Sequence, residues 1–325
     1  MAQLIKLEDY ISRYEWDAYR YPSQYIRLKR EHWAKLQAQW LHDREAAATQ
    51  PVLETADQSG EKAAKRFNWN PFRKKREEQP DEAEPEQERM FQNRLERFSE
   101  TDLKYYFLDY LYPIQIKWAT STVTEVSFVN RSYDHNPKLK FLLQRFPDTF
   151  LVMYHPVFNI KRAPIDCDPI LITPLGIEII AFMSAPKSAR IIAGDERKWA
   201  IEQGTSRKMI LNPAISLKRT EHVIKSILAA HDVDFPVQKT ILAKDNTILY
   251  ATEPYQTQII DEASYSAWFE KRRKLISPLK STQLKAAEVL LAQTRTNAVK
   301  RPEWEEEKPY LSAGEADESS LNEQT

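Results

Sequence analysis

The chain has 325 residues, 42% of them apolar, and it carries 47 basic and 47 acidic residues, so its formal net charge is zero. This length allows a large domain with a hydrophobic core, and the balanced charge excludes any argument for a nucleic-acid or membrane partner from net charge alone. The chain has five scattered glycines, which excludes the closely spaced glycines of phosphate-binding loops in nucleotide enzymes.

The cysteine count and the apolar tracts indicate in which cellular compartment the protein is expected. The single cysteine, Cys167, permits no disulfide within the chain, and the first residues lack the basic-then-apolar pattern of a secretion signal. The longest apolar tract, residues 169–186, contains Pro174 and Glu178 and is interpreted as two buried strands rather than a spanning helix. We therefore expect a cytoplasmic protein without a transmembrane segment, and the sequence indicates no oligomeric state.

The N-terminal part of the chain divides into two segments. Residues 1–48 are predicted to form a helical, aromatic-rich arm, because apolar residues recur there at helical spacing. An exposed aromatic face favours aggregation, so we expect the arm to dock on the main domain or on a protein partner. Residues 49–88 are rich in Pro, Glu, Gln and Lys and predict a disordered charged linker.

Residues 89–260 alternate predicted helices and strands, which indicates an α/β (α+β) domain with a mixed β-sheet flanked by helices. Within it, alternation predicts a strand over residues 114–129, and helical spacing predicts a helix from about Pro213 to His231. Residues 261–300 predict two C-terminal helices. Residues 301–325 are strongly acidic and predict a disordered tail.

Residues 166–183 predict a β-hairpin in which two carboxylates precede an apolar strand. Residues 173–176 (Thr-Pro-Leu-Gly) fit a type I turn, with proline at the second position and glycine at the fourth. Side chains of a strand alternate between the two faces of a sheet. We therefore expect Ala181 and Met183 on one face and Glu178 on the other.

This hairpin resembles that of the nuclease-related domain (NERD) family, a branch of the PD-(D/E)XK nuclease-like superfamily. Asp166 and Asp168 match the family's first acidic pair, the strand and turn that follow match in order, and Asn212-Pro213 resembles the Asn-Pro that begins its next helix. The resemblance covers residues 137–260. It implies a PD-(D/E)XK nuclease-like core with helical N- and C-terminal extensions, as in Bacillus-type proteins that carry this domain.

The chain departs from the family at the catalytic positions. The family's catalytic Glu and Lys align with Ala181 and Met183, and its helix Gln aligns with Ser216. Phosphodiester hydrolysis in this superfamily requires carboxylates that hold Mg²⁺ and a Lys beside the attacking water. The resemblance thus implies a pseudo-nuclease without a cofactor, which acts as a nucleic-acid-binding or protein-interaction module.

Two alternatives stay open at this point. The first is an active Mg²⁺-dependent nuclease whose catalytic groups have migrated, with the metal held at Asp166 and Asp168. Its candidate groups are Asp166, Asp168 and Glu178, with Lys161 or Lys187 beside them. The second alternative is a docking protein that captures a partner through residues 1–48.

The basic residues after Pro213 and the single cysteine are two further candidates for ligand binding. Lys218, Arg219, His222 and Lys225 lie close together on the helix predicted after Pro213. They can follow a phosphate backbone, although a solvated helix face explains them about as well. Cys167 is expected to be a structural thiol, because Zn²⁺ usually needs three or four protein ligands.

Overall fold

The computed structural model describes residues 1–49, 98–160, 163–194 and 197–301. In chain order its strands are β1 (Gln3–Leu7), β2 (Glu125–Val126), β3 (Leu151–Tyr154), β4 (Val157–Ile160), β5 (Ala163–Asp166), β6 (Ile170–Thr173), β7 (Gly176–Phe182), β8 (Arg190–Ile192), β9 (Lys198–Gln203), β10 (Ser206–Leu211), β11 (Val237–Leu242), β12 (Ile248–Leu249), β13 (Thr257–Ile260) and β14 (Val299–Lys300). Its helices are α1 (Arg20–Thr49), α2 (Glu100–Trp118), α3 (Pro137–Arg145), α4 (Pro213–Ala230), α5 (Glu262–Arg273) and α6 (Ser281–Ala292).

A mixed six-stranded sheet with the order β1-β3-β6-β7-β11-β13 forms the centre of the molecule. β3, β6 and β7 are antiparallel neighbours, β1 lies parallel to β3, and β11 and β13 continue parallel to β7. β8, β9, β10 and β12 make a smaller sheet beside it. The predicted α/β (α+β) class, with a mixed sheet flanked by helices, is confirmed.

Helices cover both faces of the central sheet, so the side chains of its strands are largely apolar on both sides. On one face, α4 and α6 pack over Ile177, Ile179 and Ala181 of β7; we call this the α4 face. On the other, α2, α3 and Trp268 of α5 pack over Ile180; we call this the α5 face. Burial on both sides fixes the register, because a slip by one residue would exchange every side chain between the two cores.

The hairpin at the centre of the sheet forms as predicted. Thr173 pairs with Gly176 across a two-residue turn, and Ile170 pairs with Ile179. A Cβ at Gly176 would lie 2.8 Å from the backbone oxygen of Pro236, so only glycine allows this close approach between the turn and the chain that leads into β11.

The prediction of a wholly helical arm over residues 1–48 is wrong at its start. Residues 3–7 form β1, an edge strand of the central sheet, and the helix begins only at Arg20. The aromatic side chains Tyr14 and Tyr25 are buried in the core of the α4 face, and Trp40 packs on Leu103 of α2. Of the two docking alternatives, these contacts agree with docking on the main domain.

The strand predicted at residues 114–129 is also wrong over most of its length. α2 continues to Trp118 although Pro113 lies inside it, and only Glu125 and Val126 form a strand. A capping box of Ser99 and Asp102 fixes the start of this helix. Its continuation is favoured by burial of Tyr112 and Ile116 against the α5 face, which local alternation does not encode.

The C-terminal helices are present, but they are integral parts of the domain rather than extensions. α5 contributes Trp268 to one core and α6 contributes Leu290 to the other. The predicted linker and acidic tail lie outside the described residues, apart from Thr49 and Arg301. Across the described ranges, no helix combines the length and apolarity needed to cross a membrane.

Candidate functional site

Asp168 lies two residues before β6 and is held by side chains from the first turns of α4. Its Oδ2 accepts a hydrogen bond from Thr220 Oγ1 at 3.2 Å, and the backbone N–H of Asp168 donates to Thr220 Oγ1 at 3.1 Å. Asn212 caps α4 through the N–H of Ala214, and the following proline occupies the first turn, where no backbone N–H is needed. Asp168 and the Asn-Pro helix start are therefore neighbours in the fold.

Ser216 completes the surroundings of this carboxylate. Its Oγ lies 3.3 Å from Asp168 Oδ1 and 3.0 Å from the carbonyl oxygen of Pro213, so the single hydroxyl proton is shared between two acceptors. Burial raises the pKa of Asp168, and the hydrogen bonds of Ser216 and Thr220 offset this only in part. If the Asp168 carboxyl is protonated, it can donate a hydrogen bond to Ser216 Oγ, and the Ser216 hydroxyl can donate to the carbonyl oxygen of Pro213. Each of these groups then has a hydrogen-bond partner.

Asp166, the other carboxylate of the pair, is the last residue of β5. Its side chain is exposed, and its backbone oxygen accepts a hydrogen bond from Arg219 Nη2 at 2.9 Å. It lines an open cleft of about 620 Å³ together with Glu8 and His155. In the part of the chain that the structure describes, no three His, Cys, Asp or Glu side chains are arranged to hold a metal ion. A Mg²⁺ at Asp166 and Asp168 would thus depend on water for most of its ligands.

His155 is a neighbour of Asp168 that sequence reasoning did not select. Its Nδ1 lies 3.2 Å from the backbone oxygen of Cys167, which can only accept, so Nδ1 carries a proton, and in the neutral ring Nε2 holds the lone pair. The residue has a φ of +49°, a left-handed conformation that non-glycine residues rarely adopt. Positive charge on His155 or Arg219 lowers the pKa of Asp168, although less than burial raises it.

The positions of the expected catalytic Glu and Lys are apolar and packed. Ala181 is 7% exposed within the core of the α4 face, and Met183 packs against that core. Cys167 is buried in the same core, and burial raises the pKa of its thiol to about 11. A neutral thiol and two apolar side chains cannot hold a metal or activate water, so this side of Asp168 is chemically inert.

Glu178 lies on the α5 face, where the alternation of β7 predicts it. Its carboxylate accepts hydrogen bonds from Thr240 Oγ1 at 2.5 Å and Trp268 Nε1 at 3.0 Å, and it forms an ion pair with Arg272. It borders a cavity of about 500 Å³ beneath α5. Since the sheet separates Glu178 from Asp168, the expectation that Asp166, Asp168 and Glu178 converge in one migrated site is wrong.

The lysines proposed for the migrated site give it no support. Lys161 lies outside the described residues, and Lys187 is exposed in the segment between β7 and β8. A lysine that sequence reasoning missed, Lys239 of β11, is buried and lies 2.5 Å from Glu221 of α4. The sequence signal that could have identified Lys239 is a single charged residue within the otherwise uncharged strand β11. Its ammonium group is already neutralised by Glu221.

The basic residues of α4 lie on its outer side. Lys218, Arg219 and Lys225 are all exposed, as is His222. Lys225 pairs with Glu221 at 2.8 Å, and Arg219 reaches back to the backbone of Asp166. The outer side of α4 is therefore a solvated polar face, and its Arg219 lies near Asp168.

Comparison with known proteins gives one similarity. No family model matches the chain, and no solved structure matches it. A stretch of 117 residues is 38% identical to a protein named RNA 2',3'-cyclic phosphodiesterase from Geobacillus stearothermophilus, covering 35% of this chain and 36% of that protein. The matched stretch thus spans about a third of the length of this relative.

Proposed function

We propose that this protein is a nucleic-acid-binding module built on a PD-(D/E)XK-like core of the nuclease-related domain kind that has lost its catalytic groups. The observation that carries the proposal is the contrast around Asp168. One acidic position persists beside the Asn-Pro helix, whereas Ala181, on the same face, is only 7% exposed among apolar side chains. Because Ala181 and Met183 occupy the positions expected for a second carboxylate and a lysine, the arrangement favours binding over cleavage.

The surface that supports this function is the outer side of α4. Lys218 and Arg219 are exposed, Arg219 lies near Asp168, and the charges of both residues suit the phosphate oxygens of a nucleic-acid backbone. The relative from Geobacillus is named for an RNA substrate, so RNA is the first ligand to test.

The compartment we propose is the cytoplasm. Capture of a protein partner is a weaker proposal, because Tyr14 and Tyr25 are already buried within the domain.

Fluorescence anisotropy with labelled single-stranded RNA and duplex DNA tests this function, with cleavage monitored on gels in Mg²⁺ or Mn²⁺. We expect binding without cleavage. The double variant Lys218→Gln/Arg219→Gln should weaken binding and reduce the slope of log K against log salt by roughly 0.7 for each lost RNA phosphate contact. Lys208→Gln, an exposed lysine of β10, is the matched control. Metal-dependent cleavage that disappears in Asp168→Ala would overturn the proposal.

A second candidate is metal-independent hydrolysis of a cyclic phosphodiester, favoured by the name of the relative and by the state of His155. With a proton on Nδ1, the neutral ring of His155 can accept a proton at Nε2 from a water that attacks phosphorus. The bond from phosphorus to one ribose oxygen then breaks, and the imidazolium returns the proton to that oxygen. Arg219 is available for the phosphate charge. Incubation with adenosine 2',3'-cyclic monophosphate in EDTA, followed by phosphorus NMR, tests this activity. Absence of ring opening, or ring opening that persists in His155→Ala, would exclude it.

A further inference from the structure

A second open cleft lies at the opposite end of the strands from Asp168. Leu151 pairs with Ile172 and Met153 with Ile170, so the residues before β3 lie at the far end of β6 from Asp168. The cleft there has a volume of about 520 Å³. Its walls carry three arginines from three helices, Arg30 of α1, Arg145 of α3 and Arg273 of α5. We call it the arginine cleft.

The positive charge of the arginine cleft is only partly compensated. Of the described residues that line it, only Asp148 carries a carboxylate; Lys29 pairs with it at 2.6 Å, and the positive charges of Lys29 and Arg30 lower its pKa. All three guanidinium groups are exposed, and none forms an ion pair with a carboxylate in the described ranges. Three like charges that border one cleft repel one another, and a bound anion would relieve that repulsion.

Local helix electrostatics explain only part of this arrangement. Arg145 and Arg273 are the last residues of α3 and α5, where the helix dipole favours a cation. Arg145 also lies over the ring of Tyr105 at 5.9 Å. Neither reason applies to Arg30, which lies in the interior of α1, and neither explains why two helix ends meet at a third arginine.

Apolar groups beside the arginines restrict the chemical class of ligand that the cleft can bind. Leu275 and Ile276 border the cleft, and Ile276 is 99% exposed. A ligand that fits this cleft therefore joins an oxyanion to a flat or apolar body. Guanidinium groups match phosphate oxygens with two parallel hydrogen bonds, and a cleft of this size accommodates a single small ligand.

We propose that the arginine cleft binds the phosphate of a nucleotide, either a free nucleotide or the phosphorylated end of an RNA chain. This site is separate from the Asp168 site and does not depend on the function proposed for it. Nucleotide binding here would occur at the far edge of the central sheet, with Arg30, Arg145 and Arg273 as the phosphate ligands and Ile276 beside the nucleoside.

Isothermal titration calorimetry with ADP, with adenosine, and with a short 5′-phosphorylated single-stranded RNA tests the proposal on the full chain. We expect ADP or the RNA to bind, and adenosine to bind at least about tenfold more weakly than ADP, because it lacks phosphate. Arg145→Gln and Arg273→Gln should each weaken binding by about tenfold or more. Arg190→Gln, an exposed arginine of β8, should leave it unchanged.

The titrations with ADP and with phosphorylated RNA distinguish a free nucleotide from an RNA chain end. Binding of ADP that depends on Arg273 identifies a free nucleotide, and binding of the phosphorylated RNA alone identifies a chain end. Failure of both ligands to bind, or binding that persists in Arg145→Gln/Arg273→Gln, overturns the proposal. Thermal unfolding of each variant checks that folding is intact, and Arg30→Gln provides a third variant on a separate helix. Loss of RNA binding in Lys218→Gln/Arg219→Gln alone would concern the Asp168 site and not the arginine cleft.

Discussion

Glu178 and Arg272 form a two-point ion pair inside the domain. Arg272 Nε lies 2.6 Å from Oε2 of Glu178, and Nη2 lies 2.7 Å from Oε1. Oε1 also accepts hydrogen bonds from Trp268 and Thr240, so the carboxylate is fully engaged. The one acidic side chain within β7 therefore links the sheet to α5, on the face away from Asp168.

Replacing Glu178 by Gln should destabilise the domain strongly. The substitution keeps the shape of the side chain but leaves Arg272, whose side chain is 14% exposed, without its counter-charge. We expect the free energy of unfolding in urea to fall by about 3 kcal/mol. The double variant Glu178→Gln/Arg272→Met should be more stable than Glu178→Gln, because it removes both charges.

Glu253→Gln is the matched control for that measurement. Glu253 is exposed, and its contact with Tyr250 is long at 3.5 Å, so its loss should change stability by no more than about 0.5 kcal/mol. If Glu178→Gln costs no more than this control, the ion pair does not hold α5 on the sheet.

The sequence predicted local features of the site better than its long-range contacts. The turn at residues 173–176 and the face of Glu178 follow from proline, glycine and the two-residue period of a strand, all of which act over a few residues. Pairing of β1 with β3 joins distant parts of the chain, and residues 3–7 carry no strong local signal. Likewise, the hydrogen bonds that Ser216 and Thr220 donate to Asp168 depend on where α4 packs against the sheet, and the start of this helix was predicted but not its placement.

Asp168→Asn should stabilise the protein at neutral pH. Because burial raises the pKa of Asp168 in the folded state above the ordinary Asp value of about 3.9, the native state holds its proton more tightly than the unfolded state. Stability therefore falls as the pH rises from the ordinary value through the folded value. Asparagine does not titrate, and its amide can bond to the hydroxyls of Ser216 and Thr220.

Urea unfolding of both proteins over a pH series checks this expectation. The advantage of Asp168→Asn should be smallest below the ordinary Asp pKa, where both states of the wild type are protonated, and largest above the folded pKa. A difference between the proteins that stays constant across the series, or that has the opposite sign at neutral pH, would contradict the raised pKa.

A carboxylate introduced at residue 181 tests whether this position and Asp168 can together hold a metal ion. Ala181 is 7% exposed on the same face as the α4 contacts of Asp168, so Ala181→Glu should cost about 3 kcal/mol or more through crowding and a buried charge. Mg²⁺ held between Glu at 181 and Asp168 would recover part of this loss, and the unfolding midpoint should rise with MgCl₂ concentration.

Ala181→Gln provides the comparison, since it has nearly the same volume and no charge. It should be destabilised by crowding, and MgCl₂ should not change its midpoint. If Mg²⁺ shifts the two variants equally, or shifts neither, a carboxylate at position 181 cannot share a metal with Asp168. The hairpin would then resemble a nuclease hairpin in sequence without offering its metal geometry.

Gln115→Ala tests whether β1 is an integral strand or a detachable arm. Gln115 is 2% exposed in α2, where its Oε1 accepts a hydrogen bond from the N–H of Leu4 and its Nε2 donates to the carbonyl of Ala2. Truncation leaves both buried backbone groups unpaired, at about 1–3 kcal/mol each. We expect a loss of about 3 kcal/mol in the free energy of unfolding and faster amide exchange in residues 3–7.

Gln144→Ala is the control, because this half-buried glutamine bonds to the exposed side chain of Asp109 at 2.9 Å and should cost less than about 1 kcal/mol. An arm that docks only on a partner would leave the stability of the domain the same in Gln115→Ala and Gln144→Ala. In the structure, Lys6 of β1 also bonds to Glu15 at 2.5 Å and to Thr296 at 3.2 Å, which ties this strand to the chain beyond α6. Exchange protection in β1 should therefore match that of β3, its neighbour in the sheet.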